Sequence, residues 1–537
     1  MKLKKLTLAI AAGLALPFLC NAQITFDQNL IQMNAQVPGS TVSTQVELTN
    51  EYTQDLTIDS ITLWKHFGTS AFTISPASTT IGGNSSITVD IDFSPVHNVT
   101  HYSQLMVYTQ DRGTFSIPVE ADAEASMNVY TGTDNRSGQN LKNVLESIVT
   151  NNHTNQLGYS PARDAMFMTS DNQKVNGNEP VNTLECVYTG TQVTNYNDRQ
   201  DAQNQGFNTE HTFPQSLFNS NFPMKGDIHH LFPTTQQSNS ARANYPFGYV
   251  NNPSWSNGGS KGNNSTFEPR DSQKGRSARA MMYFVLRYGD YSSFYQGQES
   301  LLLDWHRTYD PTQFDRNRND AVENAQGNRN PFVDYPQFMD RMKSLVGNAD
   351  FDEVNNLVVS NDTIDNGGRS SNTNYAVSVR NDGNRDVEIT GLSVTDTMFV
   401  NYRNVSGFPI TLKPGEGVEI DVVFKFATVL GTSQIDVDED LTIETNNGDE
   451  SVKLLASWES NSVDELAKNK ASIYPNPVKN TLWFTDQVES ARLYDATGKL
   501  LLEEQNTKSL DLSNLPKGLF FVKFSFNGVE QVEKIVH

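Results

Sequence analysis

Apolar and polar positions alternate in short runs along residues 23–126, as in TVSTQVELTN and SSITVDIDF, and Gly, Pro and Asn divide the runs. Period-two alternation over runs of that length predicts strands with one buried face, and their number and spacing predict an antiparallel β-sandwich. The pattern returns later in the chain. VELTNEYTQDLTIDSITL aligns with VSVRNDGNRDVEITGLSV, setting Asn50 on Asn381, Asp55 on Asp386, Ile58 on Ile389 and Ile61 on Leu392. IGGNSSITVDIDF aligns with LKPGEGVEIDVVF at the same offset of 331 residues, setting Val89 on Ile420, Asp90 on Asp421 and Phe93 on Phe424. One offset without a gap predicts a duplicated unit, placed at 23–126 and 347–458.

Between the copies the period changes. Leu141, Val144, Leu145 and Ile148 recur at helical spacing, as do Ala278, Met281, Met282 and Val285, and again Phe338, Met339, Met342 and Leu345. Helices separated by Asn- and Gly-rich loops predict an α+β unit over 127–346. A polar linker is expected at 459–467, followed by a small β-sandwich over 468–537 that carries a hairpin turn at Asn527-Gly528. The chain opens with lysines, an apolar run from Leu6 to Leu19 and small residues, which predicts a secretory signal over 1–22. Leu19 is too large for the residue before a lipid-modified Cys20. No later apolar stretch approaches the roughly 18 residues that span a bilayer, so no transmembrane segment is expected.

With the signal removed, Cys186 is the only cysteine and no internal disulfide can form. A lone cysteine in a strand-like segment is expected to be a small buried apolar residue rather than a nucleophile. The formal charge of −22 opposes binding to phosphates over most of the surface. Between Lys225 and Arg287, however, eight basic residues face three acidic ones, and a polyanion would have to dock there.

The chemistry concentrates just upstream of and within that stretch. TEHTFPQS brings Glu210 beside His211, and KGDIHHLFPTTQQSNSARANYPFG adds Asp227, His229, His230, Asn239, Arg242 and Asn244. Hydrolysis of a phosphodiester needs a base active near neutral pH, and a neutral imidazole, here His211, is suited to it. It also needs a Lewis acid beside the phosphate. Mg²⁺ keeps several waters and takes few protein oxygens, so Glu210 and the Asn239 carbonyl suffice as ligands, with Ca²⁺ or Mn²⁺ as alternatives. Arg242 could hold the phosphate. Neighbours on a strand point to opposite faces, so Glu210 and His211 are expected to share a site only if the chain bends near Asn208 and Pro214. His229, His230 and His306 are expected to be structural. Glu268 is either a further carboxylate of the metal shell or a helix cap, and Lys274, Arg276 and Arg279 form either a solvated face or a nucleic-acid contact. His66, His97, His101, His153 and His537 show no constellation. A zinc protease signature, His-Glu-x-x-His, is absent.

These segments, with FEPRDSQKGRSARAMMYFVLRY and LDWHRTYDPTQFDRNRNDAVENAQGNRNPFVDYP, resemble the signature of the bacterial endonuclease I family, of the ββα-metal or His-Me finger class. The resemblance implies a metal-dependent endonuclease of DNA, and of RNA as a further substrate, with His211 as general base and Glu210 and Asn239 as ligands of the ion. The two duplicated units resemble immunoglobulin-like modules of bacterial surface proteins. YPNPVKN and LPKGLFFVKF resemble the C-terminal sorting domain of the type IX secretion system, which implies that secretion machinery as a partner and a place outside the cell or on its surface. The expected architecture is a multidomain chain, read as a monomer: an α+β nuclease flanked by two immunoglobulin-like sandwiches, with a small C-terminal β-sandwich. The alternative is a surface adhesin carrying an inactive nuclease-like core.

Overall fold

The computed structural model describes residues 24–537 apart from 65–70, 111, 369–372, 427–433 and 460–470. The expected signal peptide at 1–22 and most of the expected linker at 459–467 lie outside the described residues, as does His66. Among the described residues no helix is long and apolar enough to cross a membrane.

In the first β unit, strands Ile24–Phe26, Val42–Asn50, Ser85–Phe93 and Phe72–Ser75 hydrogen-bond in that order. Alternate residues of Ser85–Phe93 are buried, so Val89, Ile91 and Phe93 pack against Leu105, Val107, Ile117 and Val119 from the second layer of strands. That second layer runs Ile31–Gln36, parallel to Gly113–Ala123, then His101–Thr109, Leu56–Leu63 and Thr79–Ile81. The later unit repeats the order. Leu357–Val359 pairs with Thr373–Asn381, which pairs with Gly417–Phe424, while Thr363–Asp365 runs parallel to Glu450–Glu459.

One side chain shows why both copies fold alike. Asn50 donates to the carbonyls of Gln54 (2.9 Å) and Ile81 (3.0 Å) and accepts from the Tyr52 amide (3.0 Å). Asn381 donates to Arg385 (2.7 Å) and Leu412 (2.8 Å) and accepts from the Gly383 amide (2.9 Å). Each of these three partners of Asn381 lies 331 residues beyond its counterpart around Asn50. A single buried amide thus satisfies three backbone groups that leave the strand ladder at the turn.

The two units join edge to edge. Gly113 bridges Ala376, and a Cβ on Gly113, whose φ is +79, would stand 2.3 Å from the Ala376 carbonyl oxygen. Ser116 donates its amide to Glu419 (2.5 Å) and Ser378 its hydroxyl to Gln104 (2.9 Å) across this seam.

The α+β unit is inserted between the joined copies. Its core gathers Leu141, Leu145 and Val149 of helix Gly138–Asn151 around helix Asp271–Tyr288, whose residues Gln273–Leu286 are buried on every side except at Arg276. Entry and exit lie together. Arg341 donates to Asn98 (2.6 Å) in the first β unit, and Asp350 accepts from the Gln139 amide (2.8 Å) at the start of helix Gly138–Asn151. The helix expected over Phe338–Leu345 is only a 3-10 turn, Pro336–Arg341. Met342 is already extended, although Phe338, Met339, Met342 and Leu345 are all buried.

The C-terminal unit differs from the expected sandwich, because its five strands form one hydrogen-bonded sheet. The long strand Thr481–Asp495 shifts register between Trp483 and Val488, which lets it curl around a core of Leu482, Val488, Leu493, Val522 and Phe524. Asn527 (φ 51) and Gly528 (φ 75) form the expected hairpin turn.

Replacing Asn50 or Asn381 by alanine should leave backbone groups unpaired and cost its own β unit about 1–3 kcal/mol. Scanning calorimetry should show a lowered transition for that unit, while the α+β unit keeps its own.

Candidate active site

Strand Phe207–His211 pairs antiparallel with Leu231–Thr235, setting Glu210 opposite Phe232 and His211 opposite Leu231. Thr235 then caps the next helix, its hydroxyl accepting from the Ser238 amide (3.3 Å), and helix Gln236–Arg242 folds back over the first strand. Asn239 donates to the Thr209 carbonyl (3.5 Å), and one turn later Arg242 reaches Glu210. The strand is regular through His211 and the chain bends just after it, toward Pro214, the second of the two places where a bend would let Glu210 and His211 serve one site. Glu210 meets the helix, and His211 meets a separate set of neighbours.

Glu210 is 2% exposed. Its Oε1 accepts from the Tyr188 hydroxyl (2.8 Å) and lies 3.4 Å from Arg242 Nε, while Oε2 takes no hydrogen bond among the described residues. Burial pushes the carboxyl up to about 7, against the opposing pull of Arg242 and the Tyr188 hydroxyl. The Asn239 side-chain oxygen is likewise without a hydrogen bond among the described residues, its NH₂ being turned to Thr209. Two hard oxygens on packed neighbouring elements fit a hydrated divalent cation of the Mg²⁺ or Ca²⁺ type.

His211 is 7% exposed, and its Nε2 lies 3.3 Å from the Lys225 carbonyl. A carbonyl only accepts, so Nε2 carries the proton and Nδ1 keeps its lone pair. Burial lowers its pKa to about 3, helped by His230 and by the fields of Lys225 and Arg163, so the ring is neutral at pH 7. The Tyr159 ring lies 5.5 Å away, centroid to centroid.

Arg242 is fully buried, and this overturns its expected role on the phosphate. Its guanidinium donates to the carbonyls of Tyr245 and Thr212 and faces Glu210, leaving nothing directed toward solvent. It positions the carboxylate. Glu268 is a brace as well, accepting from the Val250 amide (2.9 Å) and Lys274 (3.1 Å). Much of the basic stretch is engaged internally: Arg270 with Glu185, Lys274 with Asp271, and Arg276 and Arg279 with Asp315.

His229 and His230 are buried and donate to the carbonyls of Asn328 (3.0 Å) and Met224 (2.7 Å). Asp227, fully buried, accepts from Tyr283, Tyr288 and Gln326 at 2.8 Å each and from the His229 amide at 3.1 Å. Burial works to raise its carboxyl, yet the neighbouring imidazoles and the Gln326 amide hold it below the usual range. His153, which shows no pattern in the sequence, stands 3.8 Å from Asp227. His306 is a core histidine bonded to the Pro336 carbonyl (2.9 Å). Cys186 is buried and accepts from the Thr235 amide (3.3 Å), beside the helix cap. Sequence reasoning missed Tyr188 and Tyr159; neither belongs to a spacing motif, and only the fold brings them to the hairpin.

The profile described as Endonuclease I matches residues 137–337, that of the secretion system C-terminal sorting domain matches 472–537, and that of the HYDIN/CFA65/VesB-like, Ig-like domain matches 22–121. The chain is 31% identical over 239 residues to an extracellular ribonuclease of Bacillus subtilis (strain 168), covering 40% of this chain and 77% of that protein. It is 31% identical over 274 residues to an extracellular ribonuclease of Bacillus amyloliquefaciens, covering 45% and 88%. An extracellular deoxyribonuclease of Aeromonas hydrophila is 31% identical over 116 residues, covering 21% of this chain and 50% of that one.

Burial lowers His229 and His306 from 6.5 to about 4. Their stabilisation is complete above about 6.5 and is lost as pH falls toward 4, because the unfolded chain takes up the protons first. Thermal unfolding followed from pH 7 to pH 4 should therefore show a loss on the order of 2–3 kcal/mol per histidine. His306→Asn should flatten that dependence.

Proposed function

The chain belongs to the endonuclease I family, and on that premise we propose that it hydrolyses phosphodiester bonds of both DNA and RNA with little sequence preference, using His211 as the general base. It is a secreted nuclease that depends on a divalent ion and carries a secretion sorting domain. The observation that carries the mechanism is the lone pair on His211 Nδ1, left free because Nε2 is engaged by the Lys225 carbonyl.

In this reading the hairpin Phe207–His211/Leu231–Thr235 with helix Gln236–Arg242 is a ββα-metal finger. Glu210 and Asn239 would hold Mg²⁺, or Ca²⁺ or Mn²⁺ in its place, and such an ion would supply Lewis-acid stabilisation of negative charge on the leaving oxygen. Arg242 and Tyr188 orient the Glu210 carboxylate. His211 Nδ1 takes the proton of the attacking water, and the Lys225 carbonyl holds the ring as that charge develops. Since the chemistry addresses backbone phosphate alone, it carries no base information.

The proposed organisation is a signal peptide at 1–22, an immunoglobulin-like sandwich at 23–126, the catalytic unit at 127–346, a second immunoglobulin-like sandwich at 347–458, a linker at 459–467 and a sorting domain at 468–537. The repeated strand order supports the second sandwich. The protein acts as a monomer and engages the type IX secretion machinery as its export partner.

Purified protein should nick supercoiled plasmid and degrade RNA with Mg²⁺, and a chelator should stop both reactions. His211→Ala should lower kcat by roughly 10²-fold or more with the fold intact. Cleavage that survives the chelator, or a fully active His211→Ala, would remove the mechanism.

A further inference from the structure

The burial of Arg242 leaves open which cations meet the substrate. Helix Tyr159–Ala165 and the 3-10 turn Met224–Gly226 supply two. The Arg163 guanidinium carbon lies 4.3 Å from the centroid of the Tyr159 ring, and Lys225 Nζ lies 5.1 Å from the same centroid. That ring is in turn the neighbour of His211. Both cations are half-buried.

Among the described residues neither cation forms an ion pair with a carboxylate. The nearest acid in sequence, Asp164, is held by Arg199 at 2.7 Å, and Arg163 Nε has no hydrogen-bond partner. This sets the pair apart from Arg270, Arg276, Arg318 and Arg329, each of which is matched to Glu185 or to an aspartate. Two cations lean on one ring, and an anion beside it is attracted by the field of both. The π face of Tyr159 holds both side chains in place.

We propose that Arg163 and Lys225, held against Tyr159, form the seat for a backbone phosphate beside His211. The inference rests on the nuclease reading of the same site. The seat recognises non-bridging phosphate oxygens, with Arg163 offering paired N–H donors and Lys225 a point charge. Such contacts are common to DNA and RNA, so the seat adds affinity without base preference.

The test uses the full chain and its Arg163→Gln, Lys225→Gln and double variants, with Lys508→Gln in the C-terminal unit as a control. Binding of a fluorescent oligonucleotide is measured in chelator across a salt series, and KM and kcat are measured with Mg²⁺. Each single variant should raise KM about tenfold and reduce the slope of log affinity against log salt by about 0.7–0.9, the loss of one phosphate contact. Arg163→Lys should restore most of the salt slope, and Lys508→Gln should change nothing. Unchanged KM and slope in the Gln variants of an active enzyme would overturn the seat while leaving the nuclease reading intact. A wild type that cleaves nothing with Mg²⁺ would overturn the nuclease reading itself. Should Arg163→Gln fail to fold, as judged by circular dichroism, the Lys225→Gln slope alone decides.

Discussion

A buried carboxylate has to be held by something. Glu210 lies almost wholly inside the protein, where an unpaired negative charge would cost several kcal/mol, and its fixed partners are one guanidinium and one phenol. That requirement organises the hairpin and the helix after it. For Arg242 to reach Glu210, the helix must start at Thr235 and lie across the first strand, and this places Asn239, one turn earlier, over the Thr209 carbonyl. The ion pair and the open oxygens are thus consequences of one packing arrangement. A carboxylate with one oxygen tied down and the other unpaired is poised to accept a further cation.

The rest of the catalytic unit holds this corner rigid. Asp227 ties the second hairpin strand to the central helix through Tyr283 and Tyr288 and to helix Gln313–Gln326 through Gln326. His229 and His230 beside it are hydrogen-bonded to backbone, as buried polar groups in a packed core are. Outside the core, the flanking β units pair with each other through Gly113 and Ala376, so the catalytic unit is anchored at both ends in one place. Cys186, the one cysteine among the described residues, is free, and that closure and core packing carry the stability there.

The sequence made the β units legible because alternation reports a half-buried strand directly, and because one offset of 331 carries Asn50 and its turn onto Asn381 and its turn. Helix Asp271–Tyr288 was legible as a helix, but its burial on nearly all sides was not, since its Lys, Arg and Gln residues suggest a solvent-facing side. The segment after Pro336 has helical spacing yet only a 3-10 turn; spacing reports burial there, not hydrogen bonding. Arg242 was misjudged because the order of residues along a helix does not reveal which faces inward. Tyr188, Tyr159 and Arg163 stood outside any motif, and their proximity to the hairpin arises from long-range packing alone.

The most direct measurement is anomalous diffraction from crystals of the protein soaked in Mn²⁺. A single strong peak is expected within coordination distance, about 2.0–2.3 Å, of Glu210 Oε2 and Asn239 Oδ1, with His211 Nδ1 facing it across a gap wide enough for a phosphate. A peak elsewhere in the catalytic unit, with Glu210 still engaged only by Arg242 and Tyr188, would contradict the assignment of this corner as the metal and catalytic centre.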